Sequence, residues 1–110
     1  MRKVGAHYIY LPGFPLVKNG YAVLNGPVVT DVVETGGIVR ELPALEFYGG
    51  MLVASELAGK EGSFAAGEPL LPRMDALYKA LHATTNGLAI LEGADLQTLT
   101  GRPGMKIRFL

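Results

Sequence analysis

The sequence predicts an α+β domain that is mainly β: a small sandwich or partly closed sheet built from N- and C-terminal strands, with one helix packed on it. Three observations predict it. Short β-branched, aromatic and aliphatic runs fill residues 3–53 and 88–110, punctuated by Gly, Pro and Asn-Gly. A single segment, residues 72–85, carries apolar residues at helical spacing. The chain has 110 residues, 49% of them hydrophobic and 18% charged, enough for one core but not two. It is therefore read as one domain, 1–110, with a radius of gyration of roughly 13 Å expected for that length.

The run from Lys3 to Tyr10 ends at the breakers Pro12 and Gly13 and reads as a first strand. Two Asn-Gly pairs follow, Asn19-Gly20 and Asn25-Gly26, both suited to the positive φ of tight turns. Tyr21-Ala22-Val23-Leu24 and the run from Val28 to Val33 flank the second pair, so a hairpin crosses Asn25-Gly26. Pro27 lacks an amide hydrogen and must open its strand at a non-pairing position. Gly36-Gly37 closes this unit. A further strand pair, Glu46-Phe47-Tyr48 and Met51-Leu52-Val53, is expected to turn at Gly49-Gly50.

Residues 54–71 are rich in Gly, Ala, Glu and Ser and read as a loop with one helical turn around Ser55–Leu57. In the helix, Met74, Leu77, Tyr78 and Leu81 form an apolar stripe at i, i+3, i+4 and i+7. Pro72 fits its first turn, Lys79 and His82 suit its negative end, and Asn86-Gly87 can cap it. Leu88-Ala89-Ile90-Leu91 then reads as a buried strand, and Lys106–Leu110 as a half-exposed one after the Pro103-Gly104 turn.

Ten basic and ten acidic residues give zero net charge. A nucleic-acid partner needs a positive field, so none is expected; balanced charge favours instead a homo-oligomer or a protein partner. Cysteine is absent, which removes disulfides and thiolate chemistry and fits a cytoplasmic location. No signal-like segment and no apolar run of membrane-spanning length occurs, so no membrane association is expected.

No catalytic, cofactor-binding or metal-binding residue is nominated, and no cofactor is expected. His7 and His82 lie far apart in the chain, and Asp75 shares a helix face with His82 two turns away, too far for one ion. Ser55 and Ser63 lack a base or a nucleophile-elbow setting and read as loop hydrogen-bonding groups. Asp31 with Glu34, and Glu56, Glu61 and Glu68, could form acid–base pairs only if their environments differ; they read as solvated. Gly59-Lys60-Glu61-Gly62-Ser63 lacks the Gly-Lys-Ser/Thr ending of a phosphate loop. Tyr8, Tyr10, Tyr21, Phe47 and Tyr48 could floor a binding face, although aromatics also fill strands for packing alone.

The order of these elements resembles the amidohydrolase superfamily, metal-dependent hydrolases that include the chlorohydrolase and cytosine-deaminase-like branch. Lys18-Asn19-Gly20-Tyr21-Ala22-Val23-Leu24 is similar to the Lys-Asn-Gly-x-Val-x-Val run of that family's opening β-sandwich. Glu46 to Val53 looks like the strand that precedes its catalytic barrel. Gly62-Ser63-Phe64-Ala65-Ala66-Gly67, Leu88 to Gln97 and Lys106 to Leu110 look like its C-terminal turn and returning strands. The resemblance covers residues 3–53 and 84–110 and implies the family's outer, composite sandwich. After Val53, however, Ala54-Ser55-Glu56-Leu57 replaces the Pro-Gly segment that leads to the family's His-x-His ligands. A barrel needs about 250 residues, far more than lie between Val53 and Thr84. No metal ligand carries over. The expectation is a non-catalytic accessory or interaction domain related to that sandwich. The alternatives are part of a metal-dependent C–N hydrolase whose barrel lies elsewhere, and a small-ligand binding module.

Overall fold

A computed structural model describes residues 1–36 and 43–110. The strands are β1 (Arg2–Ile9), β2 (Val17–Asn25), β3 (Val28–Glu34), β4 (Leu45–Ala54), β5 (Leu88–Glu92) and β6 (Lys106–Phe109). They form one six-stranded mixed sheet in the order β3-β2-β1-β4-β5-β6. β1 runs parallel to β4, and the other neighbours are antiparallel. The one α-helix among the described residues, α1, spans Leu70–Ala80. The domain is thus α+β and mainly β, with the strands of both chain ends in one sheet and β4 between them. Its radius of gyration is 12.9 Å.

The sheet is open, but it curls. Val29 N–H donates to Thr85 O at 2.8 Å and Gly87 N–H to Pro27 O at 2.7 Å, around a single bridge between Val28 and Asn86. The start of edge strand β3 thereby reaches the segment that enters β5. Inside the curl, Val4, Ala6, Ile9, Ala22, Leu24, Leu52 and Ile90 form one core. On the other face Met51, Val53, Ala89, Leu91 and Ile107 meet Leu57, Phe64 and the helix residues Leu70, Met74 and Tyr78. β4 and β5 are covered on both sides, which is why Met51-Leu52-Val53-Ala54 and Leu88–Leu91 are unbroken apolar runs. Each fully buried large side chain contributes roughly 1.5–3 kcal/mol, and Leu70 and Met74, both fully buried, anchor α1 to the sheet.

The Asn25-Gly26 hairpin is as expected, with Asn25 opposite Val28 and Gly26 at φ 61°. Two other predicted turns are not turns. Gly49-Gly50 lies inside β4, a continuous ten-residue strand. Gly50 serves close approach instead: a Cβ there would lie 2.3 Å from the Leu91 carbonyl oxygen, and its φ is 125°. Asn19-Gly20 likewise lies within β2, where Asn19 takes φ 55° and a Cβ on Gly20 would meet Val33 O at 2.4 Å. In both places the positive φ or missing side chain accommodates a neighbouring strand.

The helix also differs from residues 72–85. It starts at Leu70, whose N–H donates to Leu99 O at 2.8 Å, and stops before His82. His82 adopts φ 49°, with its N–H directed to Lys79 O (3.3 Å) and the Ala83 N–H to Tyr78 O (2.9 Å). This pairing is a Schellman cap with histidine in the left-handed position usually held by glycine. Asn86-Gly87 is therefore not the cap; it faces Pro27 and Ser55. Gly37, half of the expected Gly36-Gly37 break, lies outside the described residues.

Residues 54–71 contain the expected turn at Ser55–Leu57 and a second one at Glu61–Ser63. Their carboxylates are engaged rather than merely solvated. Glu56 accepts from the Thr84 N–H and hydroxyl, both at 3.1 Å; Glu61 accepts from the Ile107 N–H at 2.9 Å; Glu68 accepts from Ala65 N–H and pairs with Arg73. Gly59 N–H donates to Ile107 O at 2.9 Å, so both outward main-chain groups of Ile107 on edge strand β6 are occupied. The glycine-rich loop thus blunts that edge.

Candidate ligand clefts

The first cleft forms where the chain leaves β1. Tyr10 N–H donates to Leu52 O at 2.9 Å, extending the strand by one bond. Pro12 and Gly13 (φ 81°) then turn it, closed by Phe14 N–H to Leu11 O at 3.1 Å. α1 lies opposite and presents Asp75, Tyr78 and Lys79. Between them is a cleft of about 400 Å³ lined by Tyr10, Phe14, Asp75, Tyr78, Lys79 and their neighbours. That volume is within the range of small-molecule sites.

Two tyrosines set its geometry. The Tyr78 ring is buried, and its hydroxyl donates to Tyr10 O at 2.6 Å while accepting from Ala54 N–H at 3.2 Å. Burial raises its pKa well above the ordinary tyrosine value, against the Ala54 bond; nearby negative charge adds to the rise. The Tyr10 ring stacks on it, centroids 6.2 Å apart at 27°. The Tyr10 hydroxyl donates to Asp75 Oδ1 at 2.5 Å. That bond, then desolvation and the Asp75 charge, push the Tyr10 pKa up to about 12. Asp75 Oδ2 and the Lys79 ammonium have no protein partner among the described residues. The cleft therefore offers an aromatic wall, an oriented carboxylate and a cation at its rim.

The second cleft is about 660 Å³, lined by His7, Tyr8, Lys18, Asn19, Leu96 and Gln97. His7 Nδ1 accepts from Gly50 N–H at 3.4 Å, and its ring meets Phe47 edge-on at 5.3 Å. Lys18 Nζ sits 6.0 Å from the Tyr8 ring centroid.

Of the residues weighed from sequence, His7 is at the second cleft, whereas His82 is an exposed cap beyond the end of α1. Asp75 consequently does not share its helix with His82 but faces Tyr10. Ser55 makes the loop hydrogen bond expected of it, to Asn86 O at 3.0 Å. Tyr10 and Tyr8 each line a cleft, while Tyr21 and Tyr48 line neither. Among the described residues no three His, Asp or Glu side chains converge as metal ligands, and no helix is long and apolar enough to cross a membrane. Sequence reasoning missed Lys79 and Gln97 as cleft residues; neither belongs to a motif, and only folding brings them to a cleft.

The described residues thus define a small α+β domain whose surface includes these two ligand-sized concavities. Comparison with family models, curated proteins and solved structures returns no match to the chain.

Proposed function

We propose that this chain is a non-catalytic accessory domain that binds a small polar molecule between the end of β1 and α1. The observation that carries this reading is the Tyr10–Asp75 hydrogen bond of 2.5 Å at the cleft wall. It fixes the carboxylate with Oδ2 available to a ligand N–H or O–H, while Tyr10, Phe14 and Tyr78 offer apolar surface to the ligand body. Binding is favoured over proton-transfer catalysis because a group with pKa about 12 stays protonated near neutral pH. Its proton is already directed to Asp75.

A thermal-shift screen of small metabolites tests this, followed by titration of Asp75→Asn and Tyr10→Phe. Hits should lose affinity at least tenfold in both variants. A screen without hits, or hits indifferent to both substitutions, would refute the reading.

A second reading is favoured by one observation: β1–β3 and β5–β6 share a sheet, as the resemblance to the amidohydrolase outer sandwich implies. On that reading the domain completes a metal-dependent C–N hydrolase whose barrel is a separate chain. Copurification of a partner bearing His-x-His, with zinc or iron detected by elemental analysis, is the expected result; a preparation without either excludes it.

A further inference from the structure

The second cleft is built by a paired irregularity of β1 and β2. Val4, Ala6, Ile9 and Leu11 belong to the inner core, whereas Tyr8 and Tyr10 pack against the other. Inward alternation is therefore interrupted after Ala6, and His7 and Tyr8 emerge on the same side. β2 does the same. Val17, Ala22 and Leu24 face the inner core, and the odd spacing from Val17 to Ala22 is taken up at Lys18 and Asn19. The ladder pairs Ala6 with Gly20 and Tyr8 with Lys18 but leaves His7 and Asn19 unpaired, and the register against β4 slips at the same point. Asn19 holds φ 55°, and its carbonyl accepts from the Thr35 hydroxyl at 2.7 Å and N–H at 3.2 Å. A non-glycine residue in this conformation costs energy that the surrounding structure must offset.

The opposite wall is equally fixed. Asp95 Oδ1 accepts from Gln97 N–H at 2.9 Å and Thr98 N–H at 3.2 Å, which holds its pKa below the ordinary carboxylate value. Asp95 and Thr100 exchange two main-chain hydrogen bonds, closing the tight loop that presents Gln97. The two strands and this loop converge on one kind of chemistry. The Lys18 ammonium meets the Tyr8 ring at 6.0 Å, and neither it nor the side-chain amides of Asn19 and Gln97 make a hydrogen bond or ion pair among the described residues. The Gly50 bond occupies His7 Nδ1 as an acceptor, so a neutral His7 carries its proton on Nε2. No carboxylate among the described residues lines this cleft.

We infer that the cleft between the β1–β2 irregularity and the loop at Gln97 binds a small oxyanion, a phosphate or carboxylate group, through Lys18, His7, Asn19 and Gln97. Several donors around a lysine that forms no ion pair among the described residues favour an anion over a neutral acceptor. The site is distinct from the Tyr10–Asp75 cleft and does not depend on the function proposed there.

The test is a titration of the whole chain with inorganic phosphate and, separately, acetate at constant ionic strength, followed by amide NMR. Saturable shifts at Lys18, Asn19 and Gln97 are expected with at least one of the two. The preferred anion tells a phosphorylated ligand from a carboxylate. Lys18→Met and Gln97→Ala, both at exposed positions, should weaken binding at least tenfold and threefold, whereas Lys60→Met should leave it unchanged. Equal losses in Lys18→Met and Lys60→Met, or no saturable shift with either anion, would overturn the inference. Resonances of Phe14 and Asp75 report the other cleft separately, so failure there leaves this result intact.

Discussion

The Tyr78 hydroxyl donates to the main-chain carbonyl of Tyr10 at 2.6 Å, joining the last turn of α1 to the residue that leaves β1. The same oxygen accepts from Ala54 N–H, at the end of β4. One phenol thus satisfies polar groups from two strands beneath the helix and fixes the floor of the first cleft. Replacing it by Phe keeps the ring but strips the partner from the Ala54 amide, which is buried. Tyr78→Phe should lower stability by about 1–3 kcal/mol, read as a reduced urea midpoint at unchanged m-value. An unchanged midpoint would mean that water replaces the hydroxyl.

Tyr10 makes the fold sensitive to alkali. Its folded pKa, about 12, lies above the ordinary value of 10.0, so its contribution is fully present below about pH 10 and is lost as pH rises through 12. The difference in ultraviolet absorbance between wild type and Tyr10→Phe should show one tyrosinate step near pH 12. Asp75→Asn should move that step down, since the Asp75 bond is the largest cause of the rise. A step that ignores Asp75 would contradict the cleft geometry.

His82 occupies a left-handed position at φ 49° with its side chain exposed. An L-residue there is disfavoured by roughly 1–2 kcal/mol relative to glycine. His82→Gly should therefore stabilise the domain by about 1 kcal/mol, visible as a rise in Tm. A fall in Tm would show that the imidazole itself holds the cap.

Edge strand β6 is protected by Glu61, which takes the Ile107 N–H, and by Gly59, which takes the Ile107 carbonyl. Glu61→Ala should cost about 1–3 kcal/mol by leaving that amide without its acceptor. It should also create concentration-dependent dimers through the opened edge, detected by gel filtration. Identical elution of variant and wild type at all concentrations would show that Gly59 alone suffices.

Much of the fold was legible because local chemistry specified it. Alternation and Asn25-Gly26 define the β2–β3 hairpin, and the stripe of Met74, Leu77, Tyr78 and Leu81 defines the covered face of α1. The clefts were legible only as scattered names. In the sequence Tyr10 is a strand aromatic, Asp75 a helix carboxylate and Tyr78 a member of the apolar helix stripe. Their convergence depends on α1 crossing the end of β1.

What the sequence alone determined is which segments bury apolar surface and where backbone of unusual φ is required, since side-chain chemistry and glycine sterics are local properties. Whether an unusual φ makes a turn, a bulge or a close approach was decided by the neighbouring strand. Gly49-Gly50 and Asn19-Gly20 carry the same signals as Asn25-Gly26, yet they sit inside strands because Leu91 and Val33 lie against them. The helix stopped at His82 rather than Asn86 for a related reason: residues 85–87 were needed to hold Pro27 and Val29 and so close the curl of the sheet.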